Sequence, residues 1–167
     1  DTNNLGTTRV LRSFGPVLRP GGALLVVASG FGTLRQLPRH LHEHFAARSP
    51  EDVDAAVLAW RDAVLDGTAG AQGWPDWINI PSKIGQVAAV RAVAAVRRDT
   101  DAATGTLVAA VCPGLVDTDA SRPWFADMSA AADPARAAQP LLDLALGPRR
   151  PEFYGELVQF GRVLPWL

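Results

Sequence analysis

The chain has 167 residues, 48% of them hydrophobic, with a net charge of −1 and a pI near 6.3, which suits one globular domain or part of one. Such a balanced charge offers no attractive field for nucleic acid or an anionic membrane surface, and the longest apolar run, residues 23–28, is far too short to cross a bilayer. The polar N-terminus has no signal-peptide pattern, and the single cysteine, Cys112, excludes an internal disulfide framework, so a cytoplasmic protein is expected.

Helix and strand signals alternate along the chain, the mark of an α/β layer architecture with a largely parallel sheet. Residues 2–18 read as a helix, with Leu5, Val10, Leu11, Phe14 and Leu18 at helical spacing before Pro20-Gly21-Gly22 breaks it. Residues 23–28 (ALLVVA) form an apolar run without alternation, as in a strand buried on both faces, and Ser29–Gly32 is the loop at its end. Residues 34–48 read as helical. Ser49-Pro50-Glu51-Asp52 then starts another helix, with serine as cap, proline at the first position and acids in the first turn. Residues 81–98 give the strongest helical pattern, small and apolar. TLVAAV at 106–111 is a second buried strand, closed by Cys112-Pro113-Gly114. Asp133-Pro134 opens a helix through Leu146, and residues 154–160 read as a final strand.

One feature of composition carries chemistry. Of the 16 basic residues 15 are arginine, and the one lysine is Lys83. A lysine amine has a tunable pKa that a guanidinium lacks. Asn79 lies four residues before it at a helix start, so both side chains face one way. In an open parallel sheet that direction is the crevice outside the strands' C-terminal ends, where the loops 29–32 and 113–118 also lie.

These residues, in this order, resemble the short-chain dehydrogenase/reductase family, especially its carbonyl reductase branch. Asn3 in TNNLGT matches the helical asparagine of that family's Asn-Ser-Tyr-Lys tetrad, and Ser29 at the end of LLVVAS matches its serine. Lys83 matches the lysine of Tyr-x-x-x-Lys. Pro113-Gly114-Leu115-Val116-Asp117-Thr118 matches the loop that embraces the nicotinamide, and Gly73-Trp74-Pro75 with the segment at about 34–73 resembles the helical insertion of the carbonyl reductases. The resemblance implies NADP(H) as cofactor, with NAD(H) not excluded, and Lys83, Pro113, Gly114, Val116 and Thr118 as its contacts. It implies a small-molecule carbonyl substrate (ketone, aldehyde or quinone) beside Asn3, Ser29, Asn79 and Lys83, within an apolar pocket of Phe31, Trp77 and Leu115. A helical insertion of this kind further implies a monomer.

Two departures stand out. No Gly-x-Gly-x-x-Gly turn follows a strand, so the expected fold is the C-terminal part of a doubly wound, Rossmann-type parallel sheet. Its N-terminal half is expected upstream in the same polypeptide or as a second chain, an expectation to which the initial Asp in place of Met adds. The other departure is Asn79, which stands where the family's proton-donating tyrosine belongs. A carboxamide donates a hydrogen bond but gives up no proton near neutral pH, and losing a general acid costs about 10²–10⁴-fold in rate. The chain is therefore a slow or rewired reductase, or a pseudo-reductase that binds a nucleotide or partner. The one tyrosine, Tyr154, lies far along the chain.

Three weaker signals complete the reading. His40-x-x-Glu43-His44 has the spacing of a zinc peptidase helix but no third ligand in a recognisable setting, so a solvated helix face is expected and no metal site. Trp74 could join Trp77 in the pocket or serve as packing. Arg97, Arg98, Asp99 and Asp101 read as a solvated helix end.

Overall fold

The computed structural model describes residues 1–46 and 49–167. Four strands form one sheet in the order β1 (Ala23–Val27), β2 (Leu107–Cys112), β3 (Leu157–Gln159), β4 (Arg162–Leu164). The pairs β1–β2 and β2–β3 are parallel, with Ala23 opposite Leu107 and Ala110 opposite Leu157, and β3–β4 is an antiparallel hairpin.

Alternation along β2 divides the molecule into layers. Val108, Ala110 and Cys112 face a core shared with Leu11, Val57, Ile84, Val87 and Val90. Leu107 and Ala109 face the other way, against Phe153, Val158, Leu25 and Leu144. The first layer holds α1 (Thr7–Phe14), α2 (Pro50–Leu65) and α3 (Asn79–Thr104), and the second holds α4 (Pro134–Leu146). This is a mixed α/β fold with a short, mostly parallel sheet, part of a Rossmann-type domain.

The helix starts follow local chemistry. Ser49 caps α2 in a reciprocal box with Asp52, and Pro50 occupies the first turn. Asp133 caps α4 by accepting from the Arg136 N–H. Gly105, at φ +65°, ends α3 in the left-handed conformation that costs glycine no Cβ clash.

Several expectations need correction. β1 is only half-buried, and Val27 is exposed, because it is the sheet's edge strand rather than an inner one. The helix at 2–18 is composite: a π-helical turn at Thr2–Gly6, then α1, then a 3₁₀ turn at Gly15–Val17. Residues 34–46 form two 3₁₀ turns, Leu34–Gln36 and Arg39–Phe45, with the prolines at 38 and 50 limiting any longer helix; Arg48 lies outside the described residues. The last strand is shorter than the expected 154–160 and turns back on itself at Phe160-Gly161, where φ values of 48° and 70° make a tight hairpin turn.

At the end of α3, Arg98 and Asp99 are exposed as expected, but Arg97 and Asp101 are not. Asp101 is 1% exposed and accepts two hydrogen bonds from Arg97, at 2.6 and 3.1 Å, and one from the Tyr154 hydroxyl at 2.7 Å. The Tyr154 oxygen also lies 3.0 Å from the Ala94 carbonyl, which shares its one proton at longer range, and burial, with Asp101 second, pushes the Tyr154 pKa upward. This buried knot ties α3 to the segment that enters β3. Trp74 is likewise core, stacked among Phe45, Trp60 and His44 with its indole N–H on the Gln72 side chain. Among the described residues no helix is long and apolar enough to cross a membrane.

Candidate active site

Parallel pairing brings the ends of β1 and β2 together, since the Ala28 N–H donates to the Val111 carbonyl. The loop 29–32 therefore runs beside the loop 113–118, and the first turn of α3 faces both. Between them opens a cavity of about 700 Å³. Ser29, Asn79 and Lys83 all line it, together with Phe31, Trp77, Gly114, Leu115, Val116 and Thr118. Volumes of this order hold small molecules and cofactor ends.

Each position has a local cause. The Ser29 hydroxyl accepts the Phe31 N–H at 3.3 Å, a short-range bond that sets the loop's first bend. Gly32 allows the loop to lie on α3: a Cβ there would stand 2.7 Å from Val87 Cγ2 and 2.9 Å from the Lys83 carbonyl. Asn79 is the first residue of α3, half-buried, and borders the cavity. The far wall is aromatic. Phe31 meets Trp77 edge-to-face at 4.7 Å, and Trp77 meets Phe125 at 6.3 Å. Phe125 and the exposed Trp124 belong to a segment that carries no motif in the sequence.

The loop after β2 is built as a serine–threonine turn. Ser121 accepts the Thr118 N–H and donates to the Val116 carbonyl, while Thr118 Oγ1 accepts the Ser121 N–H. Arg122 holds Asp117 outward at 2.7 Å, which keeps that carboxyl below its ordinary range. From the other side, the Gln159 amide donates to Cys112 Sγ at 3.1 Å, the Phe160 ring lies over Gly114, and the Leu34 N–H donates to the Trp166 carbonyl.

Lys83 is half-buried. Desolvation lowers its pKa below 10.5, opposed in smaller part by Cys112, whose thiol also lines the cavity. Its ammonium donates to Gln86 Oε1 at 2.8 Å.

Two expected site residues stand apart. Pro113 and Asn3 are not in the cavity lining. Asn3 is exposed; its amide reaches Ser82 Oγ at 3.4 Å, and its carbonyl accepts the Thr7 hydroxyl at 2.7 Å. The neighbouring Asn4 is the buried one, donating to the Ser82 carbonyl at 2.8 Å and accepting from the Ser82 hydroxyl at 3.2 Å. Tyr154 borders other cavities, at the opposite end of α3. His40 and His42 rest on the backbone carbonyls of Gln72 and Leu37, and no three His, Cys, Asp or Glu side chains gather among the described residues.

No protein-family model matches the chain. It is 28% identical over 170 residues to carbonyl reductase (NADPH) 1 of Bos taurus, and 27% identical over 169 residues to carbonyl reductase (NADPH) 3 of Mus musculus. Each match covers 99% of this chain and 60% of the relative, so the chain spans under two thirds of their length. Salutaridine reductase from Papaver somniferum has the same fold over 93% of this chain and 51% of its own, with a TM-score of 0.72 at 22% identity. In sequence and fold the chain is thus similar to the C-terminal portion of carbonyl reductases of the short-chain dehydrogenase/reductase family.

Proposed function

We propose that this chain is the catalytic portion of a cytoplasmic, NADPH-dependent carbonyl reductase of the short-chain dehydrogenase/reductase type, working with asparagine in place of tyrosine. One observation carries the reading: Ser29, Asn79 and Lys83 converge on a single cavity between two loops that end parallel strands. Commonplace residues separately, together they surround a space sized for a carbonyl compound.

NADPH, when bound, supplies the hydride that reduces the carbonyl carbon. The residues present fit its nicotinamide–ribose end. Lys83 offers ammonium N–H groups to hydroxyls, the Gly114–Thr118 loop offers backbone and side-chain polar groups, and the cavity has room for the ring. Ser29 donates to the substrate oxygen and polarises it. The Asn79 amide donates a second hydrogen bond to the oxygen as negative charge grows there, a contribution of about 1.5–3 kcal/mol for a bond to a charged acceptor. Neither group surrenders a proton. The proton comes from Lys83 Nζ, directly or through one water, and burial already weakens its hold on that proton. Phe31, Trp77 and Leu115 exclude water and favour an apolar, ring-bearing substrate.

The phosphate-binding half is supplied upstream in the same polypeptide or by a second chain. The unpaired edge of β1 and the exposed Val10, Phe14 and Val17 support this, since a bare strand edge and apolar helix face call for a cover.

The test is NADPH oxidation by the complete protein, with its phosphate-binding half, on quinones and aromatic ketones, beside direct NADPH binding. Turnover that Lys83→Ala abolishes supports the reductase. NADPH binding without turnover of any carbonyl would favour the second reading, a pseudo-reductase, for which the loss of the tyrosine at Asn79 argues. No binding and no turnover would overturn both.

A further inference from the structure

The cavity's single ammonium is not free to swing. Lys83 Nζ donates to Gln86 Oε1 at 2.8 Å, one turn further along α3. The Gln86 amide in turn donates to Thr7 Oγ1 on α1 at 3.1 Å, and the Thr7 hydroxyl donates to the Asn3 carbonyl at 2.7 Å. Gln86 is 6% exposed. A carboxamide at that depth keeps its place only if both of its ends are satisfied, and here Thr7 satisfies the amide while Lys83 satisfies the oxygen. The chain of bonds is directional: an ammonium only donates, so the Gln86 oxygen faces the lysine and its amide faces Thr7.

We infer that Gln86 is a positioning residue of this site, a buried neutral carboxamide, pinned to α1 through Thr7, that takes one Lys83 N–H and aims the other two at the cavity. The inference rests on the carbonyl-reducing reading for its consequence in turnover, though the positioning itself is a statement about the resting chain. It also gives Asn3 a place in the site without cavity contact, because its carbonyl is the far anchor of the chain of bonds.

Three physical points favour this role over plain packing. An ammonium has three N–H groups, and a four-carbon stem leaves them mobile, so holding one fixes the cone in which the others point. The residue chosen is neutral. A glutamate at 86 would place an anion against the ammonium and raise its pKa, whereas glutamine orients the amine and leaves the effect of burial in force. The surroundings are neutral as well. From α1 and the turn before it come Thr7 and Asn3, and from the loop after β1 comes Ser29; the exception is Cys112 of β2, a titratable group that raises the Lys83 pKa by less than burial lowers it. Asp117 in the opposite loop is paired with Arg122.

Lys83 is the one lysine of these 167 residues, which eases a direct experiment. In the complete protein, cofactor-binding half included, labelled at lysine Cε, the Lys83 resonance is distinguished from any other lysine by its loss in Lys83→Arg and titrated by NMR without cofactor. Gln86→Glu is expected to move that titration to higher pH. Gln86→Leu, close in volume, is expected to narrow the resonance as the amine gains motion, and Thr7→Val to do so to a lesser degree. With NADPH and a quinone, Gln86→Leu is expected to lower kcat about tenfold or more with KM within about twofold, the split of a group that acts on alignment rather than on binding. Gln86→Glu is expected to keep kcat within about threefold at its optimum while the alkaline limb of the pH profile moves up. If Gln86→Leu or Gln86→Glu leaves the Lys83 titration and linewidth unchanged in a folded protein, the positioning role is overturned. Should Gln86→Leu fail to fold, Gln86→Glu and Thr7→Val decide between the same two outcomes. If the resonance responds as stated but no carbonyl is reduced by any form, the reductase reading fails and the positioning of Lys83 stands.

Discussion

Restoring a phenol at position 79 is the sharpest test of how this site moves its proton. Asn79 is half-buried at the first residue of α3 and borders a cavity of about 700 Å³, so a tyrosine ring enters open space rather than core. Lys83 lies one turn below and would depress the new hydroxyl's pKa by its charge. The resident amide is worth at most a hydrogen bond to the developing alkoxide, which the phenol replaces, and the phenol adds a transferable proton. A well-aligned general acid contributes about 10²–10⁴-fold, and allowing for imperfect alignment the expected gain in kcat for Asn79→Tyr is at least tenfold, about 1.4 kcal/mol. The assay is NADPH consumption by the complete protein with a quinone or aromatic ketone, with NADPH affinity measured alongside. If affinity holds and the rate does not rise, then residue 79 does not face the reacting oxygen, or the cavity serves another purpose, and the proton argument fails.

Other consequences follow from the same geometry. Gly32→Ala drives a Cβ to 2.7 Å from Val87 and 2.9 Å from the Lys83 carbonyl, so the loop must lift; overpacking of this kind costs about 1–3 kcal/mol, read by denaturant melts, and turnover should fall further than stability alone explains. Asp101→Ala leaves Arg97 without its carboxylate in a site only 19% exposed, and a loss of about 3–5 kcal/mol is expected, against about 1 kcal/mol for Tyr154→Phe; equal losses in thermal melts would mean that the knot is ordinary packing. The folded-state pKa of Lys83 lies below 10.5, so the folded chain binds fewer protons than the unfolded one between those two values. Its contribution to stability is fully present above 10.5 and is lost as pH falls through the folded value. The difference in unfolding free energy between the parent and Lys83→Met, followed from about pH 8 to 11, should show that slope, and a flat difference would refute the burial argument.

Much of this site is legible in the sequence because strand ends and helix starts are written in local chemistry. ALLVVAS and CPGLVDT place polar residues beyond apolar strands that parallel pairing sets side by side, and NIPSK marks the start of the helix that packs across them. What the sequence hides is set by partners remote along the chain. The choice between Asn3 and Asn4 for burial depends on Ser82, 78 residues away, and Gln86 looks like any helix position until Thr7 comes beside it. Asp101 resembles a solvated acid until its two partners arrive, from Arg97 and from Tyr154, 53 residues on. Phe125 reaches the cavity from a segment without motif or periodicity, and Gln159 from the end of a strand whose pairing partner the sequence does not name. The 3₁₀ turns at 34–45 carry the pattern of regular helix, since closely spaced prolines shorten a helix without erasing its apolar stripe.

The hairpin that closes the sheet has a consequence for how the cavity can be disturbed. Gln159 and Phe160 hold the loop after β2, and the Trp166 carbonyl holds Leu34 just beyond the loop after β1. Both rims of the cavity thus hang from one short terminal ribbon, and the same segment braces the helix that carries Lys83, since Arg91 of α3 pairs with Glu156 and lies over the Trp166 ring. A protease cut at Gly161 should therefore slacken the two lips together and loosen the helix beneath them, so that access to the chamber and the chemistry at its base fail as one.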